Sequence, residues 1–413
     1  MGFTALATCV VPARLRTVGV CLWRATGGDK PRRSLSDAAR YLTPLAWVCL
    51  SFFCNYMTSV TRETVESILS DFPDPETGRG LGPMGQIHQI AVDGRRVAVT
   101  LGLTTWAGPL WDDIRQEAES LLRNRLPADT EIDVRIVQHE RPPEKIGQIG
   151  VAAKSVIAVG SGKGGVGKST LAASVAYGLK NSGAAVGLMD ADVYGPSIPH
   201  LLGAGERPHL ENNRLQPIVK DGLRVMSMGF LVPPGEAVVW RGPMLHGAIT
   251  QVLRDTDWGP LDYLIIDMPP GTGDIALTLS QLLPLTGAVV VCTPQDVALL
   301  DATKAIAMFR KVNIPLLGMV ENMSYFICPD CGKRYDIFGS GGAQRRAAEL
   351  DVPFLGEVPI QIGIRERGDA GDTAGNFDDD AAAIFFRDVC HRLVKQISTS
   401  HKAEPPLPSL TVL

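Results

Sequence analysis

Gly160-Ser161-Gly162-Lys163-Gly164-Gly165-Val166-Gly167-Lys168-Ser169-Thr170 decides the fold. It follows the apolar run Ser155–Val159 and opens the helical stretch Ser169–Asn181, so the local order is strand, glycine loop, helix. Glycines let successive backbone N–H groups turn inward around phosphate oxygens. Lys168 then supplies a point charge at the β and γ phosphates, and the Ser169 hydroxyl is a ligand for Mg²⁺. Gly162, Lys163, Gly164, Gly165, Val166, Gly167, Lys168, Ser169 and Thr170 are therefore expected to hold a nucleotide.

The same alternation continues outward. Ala185–Met189, Tyr263–Ile266, Ala288–Cys292, Leu316–Val320 and Phe354–Val358 are short apolar runs without period-2 alternation, as parallel strands buried on both faces require. Helical stretches at Val297–Val312 and Ala381–Ile397 fall between or after them. The pattern predicts a doubly wound α/β domain with a mostly parallel sheet, its ligands at the carboxyl ends of the strands.

Two of those strand ends carry acids. Asp190 and Asp192 close one strand at i, i+2, a spacing that points both side chains the same way in extended chain. Either could bind Mg²⁺ through water or position an attacking water. Leu264-Ile265-Ile266-Asp267 ends another strand in an aspartate placed to hold Mg²⁺ through water. The loop Pro269-Pro270-Gly271-Thr272-Gly273-Asp274 follows as a sensor for the γ-phosphate.

The second lysine of the loop, Lys163, makes the K-G-G-V-G-K-S form similar to the deviant phosphate loop of the MinD/ParA/nitrogenase iron-protein class. That resemblance implies a homodimer with ATP sandwiched between subunits and Lys163 reaching the partner's nucleotide. It also implies that Asp192 is the hydrolysis-linked aspartate, and that Asn322, just past the strand Leu316–Val320, recognises adenine. Lys163, Lys168, Asp192 and Asp267 are thus the expected catalytic set.

Tyr325-Phe326-Ile327-Cys328-Pro329-Asp330-Cys331-Gly332 is the second informative stretch. Cys328 and Cys331 present two thiolates from one tight turn, half of the four that zinc or a [4Fe-4S] cluster needs. Neither Cys292 nor Cys390 has a cysteine neighbour in sequence. A two-fold dimer would supply 2 + 2 ligands at its interface. A zinc knuckle and a redox pair use the same spacing, and both stay open at this point.

Together, KGGVGKST, DADVYGPSIP (Asp190–Pro199), WRGPM (Trp240–Met244), DMPPGTGD (Asp267–Asp274), TPQDVAL (Thr293–Leu299) and NMSYFICPDCG (Asn322–Gly332) resemble the Mrp (ApbC-type) iron–sulfur cluster carrier family over residues 145 to 395. Residues 57 to 140 resemble the small iron–sulfur assembly domain fused ahead of that ATPase, with Asp74-Pro75-Glu76 matching its signature. Where that domain commonly carries a cysteine before a proline, this chain has Trp106-Ala107-Gly108-Pro109. The resemblance implies a [4Fe-4S] cluster bound by Cys328 and Cys331 at a dimer interface, passed between scaffold proteins and apo-proteins, with slow ATP hydrolysis governing holding and release. A labile thiolate-bound cluster implies a reducing, cytoplasmic setting.

Composition bounds the remainder. Of 413 residues, 40 are basic and 44 acidic, a net charge of -4 that offers nucleic acid no attraction. No run of 18 apolar residues exists, which argues against a membrane-spanning helix. Residues 1–56 are basic at their start and read as a disordered leader, a targeting segment or a misplaced start ahead of Met57. Residues 57–140 read as a small α+β unit with a helix at Thr61–Leu69, a hairpin of Ile87–Val92 and Arg96–Leu103, a helix at Leu110–Leu126 and a strand at Glu131–Val137. Residues 141–153, with Pro142 and Pro143, read as a linker, 154–398 as the ATPase and 399–413 as a flexible tail. Spatial regulators of the MinD or ParA kind need an amphipathic end or a basic face, and nitrogenase-type reductases space their cluster cysteines apart. Neither pattern is present here.

Overall fold

The computed structural model describes residues 60–231, 242–271 and 273–403. The leader, Trp240, Arg241, Thr272 and residues 404–413 lie outside the described residues.

Thr61 caps the first helix, α1 (Arg62–Ser70), its hydroxyl accepting from the Thr64 N–H at 3.3 Å. Strands β1 (Ile87–Asp93) and β2 (Arg96–Leu103) form an antiparallel hairpin turned at Gly94, whose φ is +59°. Helix α2 (Trp111–Arg125) then carries the chain back, so that β3 (Glu131–Gln138) lies parallel to β2. Val65, Leu69, Leu101, Ile114 and Leu122 fill the space between this sheet and its two helices.

The short strand β4 (Lys145–Ile146) pairs with β5 (Val151–Ser161), and the phosphate loop leads from β5 into α3 (Lys168–Asn181). Strand β6 (Val186–Asp190) and the short α4 (Ile198–Leu201) come next, then β7 (His209–Glu211), β8 (Arg214–Gln216), β9 (Ile218–Lys220) and β10 (Leu223–Ser227). Helix α5 (Gly242–Asp255), β11 (Leu261–Asp267), α6 (Gly273–Leu282), β12 (Gly287–Cys292) and α7 (Asp296–Lys311) precede the long strand β13 (Leu316–Ile327). The chain ends through β14 (Arg334–Tyr335), α8 (Gly342–Glu349), β15 (Phe354–Ile360), α9 (Ile362–Asp369) and α10 (Asp380–Ala403).

The main sheet runs β14-β13-β12-β5-β11-β6-β10-β9, with β15 also on β13 and β4 on β5. Strands β10, β6, β11, β5, β12, β13 and β15 pair in parallel, while β9 and β14 are antiparallel at the margins. Every residue of β6, β11 and β12 is buried, because one apolar layer involves α3 and α10 and the other α5, α6 and α7. That double burial is why the strands read as unbroken apolar runs, and the doubly wound expectation is met. Registers place Asp267 beside both Asp190 and Val159, so three functional strand ends finish at one level.

The expected linker at 141–153 is not loose. Arg141 is mostly buried and pairs with Asp74 at 3.0 Å and Glu76 at 3.2 Å, while Lys145–Ile146 adds a strand to β5. Nor do the two expected units stand apart, since the chain from Val60 onward forms one compact body. Trp106 is fully buried between Tyr263 and His401, with ring centroids 5.8 and 5.9 Å away. Its indole N–H donates to Ser155 Oγ at 2.9 Å, and the Tyr263 hydroxyl donates to its carbonyl at 2.5 Å. Lys154 bridges Glu76 and Asp262, at 3.4 and 2.9 Å. Helix α10 continues to Ala403, past the boundary expected at 398, because His401 is held in this stack.

Candidate nucleotide site and cysteine hairpin

Gly167 caps α3 in the left-handed region (φ +76°), and a Cβ there would fall 2.1 Å from Asn322 Nδ2. Gly162 has a second reason to be glycine: a Cβ would meet the Asp301 backbone of α7 at 2.1 Å. The loop is thereby pressed between α7 and β13. Its concave side opens into a cavity of about 590 Å³ lined by Lys163, Lys168, Ser169, Thr170, Asp192 and Pro270, among others. Gly164 and Gly165 line the same cavity, while Val166 turns into the core and offers its carbonyl to the Asn322 amide at 2.8 Å.

Lys168 Nζ lies 2.5 Å from Asp267 Oδ1 and donates to Ser169 Oγ at 3.3 Å. Burial holds the Asp267 carboxyl above its ordinary range, opposed chiefly by the Lys168 charge. Its second oxygen, Oδ2, is buried without any hydrogen-bond partner. An orphaned carboxylate oxygen beside the Ser169 hydroxyl fits a hydrated Mg²⁺, so Ser169 and Asp267 are the residues that would hold that ion.

Asp190 and Asp192 do not share a direction, contrary to the alternation expected from their spacing. The chain leaves extended geometry after β6. The Asp190 carboxylate turns inward to accept from the Asp192 and Ile198 N–H groups at 3.0 and 3.2 Å and from the Ser227 hydroxyl at 3.0 Å. Burial first, and then the Asp267 charge, push it up to about 7. Asp192 faces the cavity, its Oδ1 accepting from the N–H groups of Tyr194 and Gly195. Of the two, only Asp192 lines the cavity.

Asn322 lies within β13 rather than past its end. One amide hydrogen goes to the Val166 carbonyl, which leaves the other hydrogen and the amide oxygen available. Beside it opens a largely apolar slot of about 470 Å³, walled by Met323, Phe338, Pro359, Ile360 and Ile364 and sharing Gly167 and Thr170 with the phosphate cavity. Sequence reasoning missed this wall. Its signal was the apolar strand Phe354–Val358, whose carboxyl end had to reach the same rim.

Strand β13 ends at the cysteines. Phe326 and Ile327 pair with Tyr335 and Arg334, so the cysteine turn is the tip of a hairpin. The Cys328 N–H donates to the Lys333 carbonyl at 3.0 Å, and the Gly332 N–H donates to the Cys328 carbonyl at 2.9 Å. Both thiols are free, Cys328 half-exposed and Cys331 exposed. Backbone N–H groups of Cys331 and Asp330, then the Cys331 side chain, hold the Cys328 thiol below its ordinary range. Cys292 and Cys390 are buried, and desolvation pushes each up to about 12. Among the described residues no cluster of three or more His, Cys, Asp or Glu forms, so one chain brings only two thiolates to any metal at this tip. Exposed Ile327, Tyr335, Ile337 and Phe338 surround it. Among the described residues no helix is long and apolar enough to cross a membrane.

With this geometry in view, the comparisons with known proteins are informative. Residues 152–394 match the NUBPL iron-transfer P-loop NTPase family, and residues 62–134 match an iron–sulfur cluster assembly protein family. An iron–sulfur cluster carrier protein of Synechocystis sp. is 47% identical over 76% of this chain and 90% of its own. The mouse iron–sulfur cluster transfer protein NUBPL is 49% identical over 62% of this chain and 77% of its own. Among solved structures, a nucleotide-binding protein from Archaeoglobus fulgidus in complex with ADP is 41% identical, with a TM-score of 0.49, covering 54% of this chain and 88% of that one. A family match across more than half the chain, joined to a phosphate loop, a strand-end aspartate and a free cysteine pair, makes this chain a member of the NUBPL iron-transfer P-loop NTPase family.

Proposed function

We propose that this protein is an ATP-dependent iron–sulfur cluster carrier. Two chains associate around their nucleotides and pool Cys328 and Cys331 from each to grip one [4Fe-4S] cluster as cargo. The observation that carries the reading is the pair of free thiols at the tip of the strand that also bears Asn322. Two thiolates per chain are half of a cluster's ligand set, and two-fold symmetry doubles them. The exposed apolar side chains around the tip support burial against a second copy.

The chemistry of hydrolysis follows from the cavity. Backbone N–H groups of the phosphate loop and the Lys168 ammonium bind the β and γ phosphates, which requires Lys168 to loosen its contact with Asp267. Mg²⁺ bound near Ser169 and Asp267 supplies charge neutralisation at those phosphates. Asp192 orients the attacking water, and Lys163, half-buried at the cavity wall, extends to the partner's nucleotide. Asn322 fixes the base. Turnover is slow and times cluster holding against release.

Partners in this reading are scaffold proteins that load the cluster and apo-proteins that receive it, in a reducing cytoplasmic setting, without nucleic acid or membrane. The test is transfer from the anaerobically reconstituted chain to an apo-ferredoxin, followed by absorbance with and without ATP. The reading expects transfer to depend on nucleotide and to vanish in Cys328→Ala and Cys331→Ala. Zinc taken up in place of iron, with no transfer, would overturn it.

A further inference from the structure

Glu321 is fully buried in β13, immediately before Asn322, and neither the nucleotide chemistry nor the cysteine pair accounts for it. One carboxylate oxygen accepts from the Ser324 hydroxyl at 2.5 Å and the Gly341 N–H at 3.2 Å, and the other accepts from the Ala343 N–H at 2.7 Å. Gly341 and Ala343 stand at the start of α8, where the loop that begins at Cys328 ends. A buried carboxylate on the first N–H groups of a helix is a firm anchor. Since Phe326 and Ile327 hold the other side through β14, both ends of the cysteine loop are tied to one strand.

That strand is broken between the two ties. Met323 has φ +55°, the left-handed region that a non-glycine residue occupies only under constraint. Asn322 pairs with Val358 and Phe326 with Ile360, so three residues of β13 oppose one of β15. Ser324, inside this bulge, has its hydroxyl 2.5 Å from Glu321 and 3.0 Å from Glu357. A hydroxyl donates one proton, so it serves one carboxylate at a time. Glu357 in turn lies 3.9 Å from Arg334, whose guanidinium stacks 3.8 Å over the Tyr325 ring.

We propose that Glu321 is the positioning residue that transmits occupancy of the base slot to the cysteine loop. A base that engages the Asn322 amide pulls on the first residue of the bulge. The Ser324 hydroxyl then exchanges between Glu321 and Glu357, and the start of α8 moves with the loop relative to β13. This inference rests on the reading above, in which nucleotide governs the cysteine pair, and supplies its mechanical link.

The test uses the full chain, iron-free and reduced, with iodoacetamide alkylation of Cys328 and Cys331 followed peptide by peptide. In the native chain saturating ATP is expected to change these rates about fivefold or more, and in Glu321→Gln to leave them changed by a factor of about one, with affinity for a fluorescent ATP analogue kept within about threefold. A native response in Glu321→Gln overturns the proposal, as does a native chain whose thiols ignore ATP. Should Glu321→Gln not fold, Ser324→Ala keeps the carboxylate and its backbone ties and is expected to cut the response at least about twofold. A full response there also overturns it. Failure of the native chain to take up iron would sink the carrier reading alone, because this assay contains no iron.

Discussion

The Lys168 ammonium and the Asp267 carboxylate form a buried ion pair, 2.5 Å apart, across the floor of the phosphate cavity. Each is the other's neutralising partner until phosphate arrives. Lys168→Ala is therefore expected to cut ATP hydrolysis by roughly 10²–10³ and to destabilise the nucleotide-free chain by about 3–5 kcal/mol. Adding Asp267→Asn should restore the melting temperature without restoring phosphate release. Native hydrolysis in Lys168→Ala would mean that the phosphate loop has been misread.

Asn322 lines the apolar slot and is not among the residues that line the phosphate cavity. Asn322→Ala should weaken ATP binding by about tenfold, the loss of a hydrogen bond or two, while affinity for inorganic tripolyphosphate stays level. Titration calorimetry with the two ligands separates these outcomes. An equal loss for both would remove Asn322 from base recognition.

Cys328, Cys292 and Cys390 differ in how readily they form thiolate. The thiolate is the reactive form, so a thiol held below its ordinary range reacts at lower pH. Cys328 should be alkylated already near neutrality, with a pH midpoint below that of a free cysteine peptide, whereas Cys292 and Cys390, pushed up to about 12, should stay unmodified in the folded chain. Alkylation scanned from pH 6 to 9, read by peptide mass, checks the order. Equal rates at all sites would contradict it.

Trp106, fully buried between Tyr263 and His401, is the bolt between two layers. Trp106→Ala should cost about 3–5 kcal/mol by leaving a cavity between Tyr263 and His401. Native unfolding in denaturant should be a single transition from residue 60 onward. Separate transitions for the small layer and the ATPase would contradict a welded interface.

The sequence made the nucleotide half of the molecule legible because its determinants are local. Glycines, Lys168 and Ser169 are consecutive, and Asp267 ends a run whose apolarity reports burial on both faces. Contacts between distant segments were hidden. Arg141 lies 67 positions from Asp74, and Thr105 lies 157 from Asp262, to which its hydroxyl donates. A proline-rich charged stretch therefore read as a linker although its Arg141 is neutralised by the buried Asp74 and Glu76. Spacing alone did not separate Asp190 from Asp192 for another reason: alternation assumes an extended chain, and the chain turns between them. The bulge at Met323 was hidden in the same way, since a left-handed methionine leaves no mark in composition.

Native mass spectrometry of the anaerobically reconstituted protein, with ATP present, tests the central claim most directly. Two chains carrying a single [4Fe-4S] cluster, lost together with the iron in Cys328→Ala, is the result expected. A lone chain that keeps its iron, or a pair of chains in which each holds its own metal, would contradict it.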